Sequence, residues 1–160
     1  MSTTTDQALA TQVYRVFIKA TPERIWEAIT SPEMVAKYFL GTRMEEPLTV
    51  VGSRVKSWSP DRETLWTDNL VLESDPPRRL VHTWCGLYDP DLASEEESRV
   101  TWEIEPQGEG YALLTVIHDN LEGAPKTAAS VSGGWMLIIS GLKTLVETGE
   151  PLTSFGSSEA

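Results

Sequence analysis

The feature that most constrains this chain is a single long amphipathic helix near its C-terminal end. Between about residues 128 and 148, apolar side chains recur at the three- and four-residue spacing of a helix. They are Trp135, Ile138, Ile139, Leu142, Leu145 and Val146. Gly149 and Pro151 end the pattern. Gly133 and Gly134 lie early in this helix, where glycine costs stability, and they predict either a close approach of another backbone or a later helix start.

The residues before this helix alternate between polar and apolar in short runs that are typical of strands. The predicted strands span residues 12–20, 43–50, 52–58, 64–74, 80–85, 99–105 and 111–119. Neighbouring runs are joined by short turns, such as Gln107-Gly108-Glu109-Gly110, so the sheet should be antiparallel. A single sheet needs one apolar face covered, and the C-terminal helix is the only predicted element large enough to cover it.

Two short helices are predicted between the first two strands. Thr21-Pro22-Glu23 and Ser31-Pro32-Glu33 each place a hydroxyl at the N-cap, a proline at the first helical position and an acid in the first turn. The residues that these helices should bury are Ile25, Trp26 and Ile29 in the first and Met34, Val35 and Tyr38 in the second. The element order therefore predicts one α+β domain with about six or seven strands.

Charge and composition argue against several classes of function. The chain of 160 residues has 13 Lys and Arg against 24 Asp and Glu, a formal net charge of −11, and phosphate backbones would repel it. We therefore expect no nucleic-acid partner. One cysteine, Cys85, allows no intrachain disulfide, and the N-terminus lacks the pattern of a signal peptide. No run approaches the roughly 20 apolar residues of a membrane span, so a cytoplasmic protein is expected.

Three segments in this order resemble one known family. They are residues 21–29 (TPERIWEAI), residues 75–84 (DPPRRLVHTW) and residues 133–149, which begin with GGW and end with ETG. With the element order, they are similar to the START-like (SRPBCC, helix-grip) superfamily, and within it to homologues of the activator of the 90-kDa heat-shock protein ATPase. The resemblance covers about residues 12–150. It implies a curved antiparallel sheet that grips the C-terminal helix, with a cavity between them for an apolar or amphipathic ligand.

The expected domain limits follow from this resemblance and from the composition of the ends. The START-like domain should span residues 12–150. Residues 1–11 and 151–160 are expected to be flexible tails, because small and polar side chains bury little surface.

Large aromatic side chains are the main candidates for lining the implied cavity, although they also fill cores. The residues expected to contact a ligand are Tyr38, Phe39, Trp66, Trp84, Trp102, His118, Trp135, Ile139 and Leu142. Tyr38 and Phe39 follow the second short helix, where the resemblance implies the cavity mouth, so they are candidate gate residues.

Two residues are weak candidates for catalysis. His118 falls in phase with the presumed inner face of its strand and could act as a base, although a ring satisfied by backbone groups is the alternative. Asp68 is the only acid with a plausible inward orientation. No metal site is expected, because Cys85 points away from His82 in a regular strand. No cofactor is expected either, because no phosphate-binding or dinucleotide motif is present.

Three functions remain open at this point. The favoured one is binding of a small hydrophobic or amphipathic molecule between sheet and helix. The second is a co-chaperone-like regulator of the 90-kDa chaperone ATPase, linked to the stress response and acting through a surface such as the acidic residues 95–97. The third is a cyclase-, dehydrase- or hydrolase-like enzyme, which the lack of a catalytic motif disfavours. A homodimer would protect an exposed edge strand.

Overall fold

The computed structural model describes residues 11–153 of the chain. Within that range the elements follow in the order β1 (Gln12–Ile18), α1 (Pro22–Thr30), α2 (Pro32–Tyr38), β2 (Arg43–Met44), β3 (Arg54–Trp58), β4 (Leu65–Asp75), β5 (Arg79–Trp84), α3 (Pro90–Ala93), β6 (Ser98–Pro106), β7 (Ala112–Asp119) and α4 (Pro125–Thr148). These elements confirm the predicted α+β helix-grip fold. The two expected tails lie almost entirely outside the described residues.

The strands form one antiparallel sheet in the order β1-β7-β6-β5-β4-β3-β2. The first strand returns to pair with the last, with Val16 opposite Leu114. At the other edge, β2 is only two residues long. The register shifts within the β3–β4 and β4–β5 pairs, and such irregularities bend the strands that carry them. The sheet is therefore curved at the end that β2–β5 form.

The two short helices begin at the predicted prolines. Thr21 Oγ1 accepts a hydrogen bond from the backbone N–H of Arg24 at 3.2 Å, as an N-cap should. Ser31 makes no such side-chain bond, because it also ends α1, where its N–H donates to the Glu27 carbonyl. Both residues are thus confirmed at the predicted N-cap positions, but among the described residues only Thr21 caps its helix through its side chain. Two of the side chains expected to be buried, Trp26 and Met34, are only partly so.

The predicted strand over residues 43–50 is mostly wrong. Only Arg43–Met44 pairs with β3, after which the N–H of Glu45 still donates to the Lys56 carbonyl at 2.9 Å. Pro47 has no N–H to continue the ladder. Leu48 then turns inward and is buried. The acidic loop between β5 and β6, which holds residues 95–97, also contains the short helix α3.

The long helix α4 begins earlier than predicted, at Pro125. Its first turn is capped by Glu95, whose carboxylate accepts hydrogen bonds at 2.8 Å from the N–H groups of Lys126 and Thr127. Gly149 ends the helix in the left-handed conformation, with φ at 83°. The acidic loop therefore fixes the start of the helix, an interaction that the spacing of apolar residues does not reveal.

The predicted close approach at the glycine pair is wrong. A Cβ atom added to Gly133 or Gly134 would meet no atom of residues 11–153 within 4 Å outside the helix's own backbone. The close approach occurs instead at Gly141, where such an atom would lie 3.5 Å from the backbone oxygen of Tyr38 in α2. Gly141 therefore lets α4 pack tightly on α2, and the glycine pair faces open space.

One long helix cannot cover this sheet alone. Seven strands spaced about 4.8 Å apart span about 29 Å, whereas a helix with its side chains is about 10–12 Å wide. α4 packs against β1 and against both short helices, α1 packs on β6, and α2 packs on β2. The inner face formed by β3–β5 is therefore only partly covered.

Among residues 11–153, α4 is the one helix that is long and apolar enough, by length and composition alone, to cross a membrane, with a hydropathy of 1.3. The core helix of a soluble protein meets the same criterion. Its buried side chains, such as Trp135, Ile138 and Leu142, belong to the core shared with the sheet. Packing thus accounts for the apolar residues on the face of α4 that contacts the core.

The packing of α4 can be tested with two leucines of the same helix. Leu142 is fully buried, whereas Leu137 is 43% exposed. We expect Leu142→Ala to lower the free energy of unfolding by about 3 kcal/mol, because it removes buried methyl groups and leaves a cavity. Leu137→Ala should cost less than about 1 kcal/mol. Urea denaturation measures both, and equal losses would contradict this placement of the helix.

Candidate ligand-binding site

A cavity of about 350 Å³ lies between the inner face of the sheet and the helices. Strands β2–β6 form one wall, and α1, α2 and α4 form the other. Its lining consists of Ile29, Val35, Tyr38, Phe39, Leu40, Thr42, Met44, Leu48, Ser57, Trp66, Thr67, Asn69, His82, Trp84, Tyr88, Trp102, Ser130, Val131, Gly134, Trp135 and Ile138. Within the described part of the chain, no Asp, Glu, Lys or Arg lines it. The cavity is therefore apolar and uncharged, with a few polar groups.

The cavity opens to solvent between α4 and two loops. Leu40 follows α2, Tyr88 follows β5, and Ser130 and Gly134 lie on α4, and all four line the cavity while remaining exposed. Trp66 stands beside this opening, with its ring centroid 6.4 Å from that of Tyr88. The mouth is thus formed by Leu40 together with small and aromatic residues, with Gly134 of α4 at its rim.

Aromatic rings form the floor of the cavity and contact one another. Trp102 of β6 and Trp135 of α4 meet edge to face, with centroids 5.5 Å apart. Phe39 packs against Trp135 and Trp84 at 6.1 and 6.2 Å. These distances are typical of favourable aromatic pairs. The floor is therefore held by ring contacts between α2, the sheet and α4.

His82 on β5 has both ring nitrogens occupied. The indole N–H of Trp102 donates to Nε2 at 3.0 Å, and Nδ1 lies 2.8 Å from the backbone carbonyl of Thr83. Because an indole nitrogen only donates and a carbonyl only accepts, Nδ1 must carry the proton. His82 is therefore a neutral ring whose edge lines the cavity.

His118 on β7 carries the other tautomer. The indole N–H of Trp135 donates to Nδ1 at 3.0 Å, so the proton must lie on Nε2, which is 2.7 Å from Ser98 Oγ. Ser98 Oγ in turn donates to the carbonyl of Trp84 at 3.1 Å. In this chain of bonds Nε2 donates, so it is not available to accept the proton of the serine.

Burial keeps both rings neutral. It lowers the pKa of His82 from 6.5 to about 4, against the opposing effect of the hydrogen bond to Thr83. It also lowers the pKa of His118 to about 4, an effect that the nearby His82 strengthens and Asp119 opposes. Protonation would put a hydrogen on the ring nitrogen that accepts the indole N–H. Two donors would then face each other, and the indole bond would be lost. Neutrality of the two histidines is thus a condition for the two indole bonds.

Two residues of the cavity lining carry buried polar atoms without partners among the described residues. The side-chain oxygen Oδ1 of Asn69 on β4 and the indole N–H of Trp84 on β5 are both buried, and neither has a hydrogen-bond partner among the described residues. Leaving such groups unpaired costs free energy of folding, about 1–3 kcal/mol each. Structural residues rarely carry this cost, whereas residues that bind a ligand can.

Six of the nine residues expected to contact a ligand line the cavity. They are Tyr38, Phe39, Trp66, Trp84, Trp102 and Trp135. Tyr38 is a fixed part of the wall: it is 1% exposed, its hydroxyl donates to the Ala28 carbonyl at 2.9 Å, and burial raises the pKa of its phenol.

The other three lie outside the lining. His118 is fully buried behind the Trp135 ring that donates to it. Ile139 and Leu142 are core residues nearer the C-terminal end of α4, where the helix packs directly on its neighbours. The helical period places all of these residues on one face of α4. It does not indicate which part of that face packs on its neighbours and which part lines the cavity.

The inward orientation considered for Asp68 is not realised. Its neighbours Thr67 and Asn69 line the cavity, and side chains alternate along a strand, so Asp68 points to the opposite face of the sheet. Because this strand carries apolar residues on both faces, its sequence alone does not show which side chains point inward. Thr67 and Asn69 are buried polar residues at alternate positions, and this spacing was the sign that they share the inner face. Ser57 and His82 are buried polar residues on the flanking strands and gave the same sign.

The geometry defines a helix-grip protein with an uncharged internal cavity, and comparisons with known proteins give its family. Residues 19–147 match the model of the family described as "Activator of Hsp90 ATPase homolog 1-like protein". The chain belongs to this family. A search of the curated proteins finds no match.

Solved structures show the same fold at low sequence identity. The protein MLL2253 from Mesorhizobium loti is 22% identical, with a TM-score of 0.69 over 85% of this chain and 96% of that one. The Aha1 dimer from Colwellia psychrerythraea is 21% identical, with a TM-score of 0.68 over 87% and 97%. A protein from Arthrobacter aurescens reaches a TM-score of 0.73 at 15% identity, over 97% and 94%.

The two neutral histidines predict a stability that depends on pH. Unfolded imidazoles with a pKa of 6.5 bind protons that the folded rings, with pKa values of about 4, do not. Stability should therefore be fully present above pH 6.5 and should fall as the pH is lowered towards 4, by roughly 3 kcal/mol per histidine. Denaturation at several pH values measures the slope, and NMR titration of the ring protons measures the two pKa values. Rings that titrate near 6.5 would contradict the assigned bonds.

Proposed function

We propose that this protein binds a small apolar or amphipathic molecule in the cavity between its sheet and α4. The observation that carries the proposal is an uncharged space of about 350 Å³ whose lining is dominated by apolar and aromatic side chains. Ligand sites of proteins are concave and mostly apolar, and have volumes of about 300–1,000 Å³. A few polar groups within such a lining fix the orientation of the bound molecule.

The chemistry of the lining supports binding over catalysis. A general acid or base needs a group that can exchange a proton with the bound molecule. The ring nitrogens of His82 are both engaged, and those of His118 lie behind Trp135 and are engaged as well. Asp68 points to the other face of the sheet. A carrier or ligand-sensing role therefore fits the described residues better than an enzymatic one.

The glycine pair of α4 offers a matched test of the cavity. Both glycines are exposed with open space around them, but only Gly134 lines the cavity. We expect Gly134→Phe to place a ring in the mouth and to weaken binding of 2-naphthol, an uncharged aromatic probe, about tenfold or more. Gly133→Phe should leave binding within about twofold. Titration of the tryptophan indole N–H signals by NMR measures both dissociation constants.

Thermal denaturation of the two variants separates blocking from unfolding, since both replacements sit at open positions and carry the same helix propensity. Equal weakening by both would argue against binding through this mouth. Failure of 2-naphthol to bind the unmodified protein at all would argue against the cavity as a site for small aromatic molecules.

The family description gives a second candidate, regulation of the 90-kDa chaperone ATPase through an outer surface. The acidic residues considered for such a surface are partly engaged within the chain. Glu95 caps α4, and Glu97 pairs with Arg54 at 3.3 Å. If 2-naphthol does not bind, the assay that decides between the candidates is whether this protein stimulates ATP turnover by the 90-kDa chaperone.

A homodimer is a further proposal that concerns assembly. The edge strand β1 exposes Val13 and Phe17, which are 50% and 55% accessible, and Tyr111 packs on Phe17. Burying this apolar edge would favour self-association. If β1 forms the interface, Phe17→Glu should convert a dimer to a monomer in sedimentation analysis. A dimer that survives this change would place the contact elsewhere.

A further inference from the structure

The two walls of the cavity differ in polarity. The helix wall presents apolar side chains, among them Val35, Phe39 and Ile138. The sheet wall carries a polar strip that runs from β3 to β4: Ser57 is the cross-strand partner of Thr67, and Asn69 follows on the same face. A bound molecule would therefore have its polar group on the sheet side, against this strip.

Asn69 is the member of the strip that carries a buried side-chain atom without a partner among the described residues. The residue is 6% exposed and lines the cavity, and its Oδ1 has no partner among the described residues. Val71 of β4 pairs with His82 of β5, and the N–H of Leu87, just after β5, donates to the Trp66 carbonyl of β4. The two segments therefore keep the same antiparallel register between these two contacts. That register places Asn69 opposite Trp84, whose indole N–H is also buried without a partner among the described residues.

We propose that the cavity selects an uncharged molecule that carries a hydroxyl or N–H group, and that Asn69 accepts the hydrogen bond from that group. The inference rests on the proposed function and specifies the class of ligand. The partnerless atom of Asn69 is an acceptor, so its partner must donate. A rotated amide of Asn69 could also donate to the same hydroxyl oxygen, which makes a hydroxyl the best match.

The charge of the lining decides against an ionised ligand. No Lys or Arg lines the cavity to neutralise an anion, and no Asp or Glu to neutralise a cation, within residues 11–153. The imidazole at its edge, that of His82, is kept neutral by burial, and its Nε2 accepts the indole N–H of Trp102. An ion placed here would lose its hydration without gaining a partner.

Three aromatic probes of similar shape test the proposal: 2-naphthol, naphthalene and 2-naphthoate. Their dissociation constants are measured at neutral pH by NMR titration of the indole N–H signals. We expect 2-naphthol to bind about tenfold more tightly than naphthalene, and naphthoate to bind more weakly than either. In the Asn69→Leu variant the advantage of naphthol over naphthalene should disappear, because leucine accepts no hydrogen bond from the hydroxyl.

The stability of the variant is a second readout. Asn69→Leu replaces an unsatisfied buried amide by an apolar group of similar size, so the ligand-free variant should melt at a higher temperature than the original protein. A lower melting temperature would mean that the amide is satisfied within the fold, and it would overturn the assigned role.

The outcomes separate this inference from the proposed function. Equal affinities for naphthol and naphthalene, or a preference for naphthoate, would overturn the inference and leave the cavity as a binding site. An unchanged preference in Asn69→Leu would also overturn it. No binding of any of the three probes would remove the proposed function and the inference with it.

Discussion

The hydrogen bond that joins Trp135 of α4 to His118 of β7 marks the boundary between the solid core and the open cavity. His118 lies behind this bond and is fully buried, whereas the Trp135 ring lines the cavity in front of it. The second indole bond, from Trp102 to His82, holds the neighbouring part of the floor in the same manner. Both bonds require neutral imidazoles, so the shape of the cavity depends on the protonation of two buried rings.

The cavity itself follows from the dimensions of the secondary structure. One helix cannot cover seven strands, and α1 and α2 are too short to cover what remains. α4 packs tightly where Gly141 admits α2, but no described residue approaches Gly133 or Gly134 nearer the N-terminal end of the same helix. The tightly packed half provides stability, and the open half leaves room for a molecule. Asn69 lies in the open half, beside the space in which we propose that a ligand binds.

The sequence was sufficient to predict the architecture and most of the aromatic lining, because the periods of strand and helix are directly visible in it. It could not predict which end of α4 stands away from the sheet, so Ile139 and Leu142 were expected in the cavity and lie in the core. Nor could it predict the bonds of His118, which depend on an indole from a distant element. Asn69 was overlooked because its strand is apolar on both faces, and only the register with β5 fixes its direction.

The most direct test of this account is the detection of intermolecular NOEs between 2-naphthol and the protein. Binding in the cavity predicts NOEs from the naphthol ring to the indole protons of Trp84 and Trp102, and none to the methyl group of Met136, which is 62% exposed on α4. NOEs confined to exposed residues such as Met136 or Phe17 would contradict it, because the probe would then bind the outer surface and the cavity would not be the site.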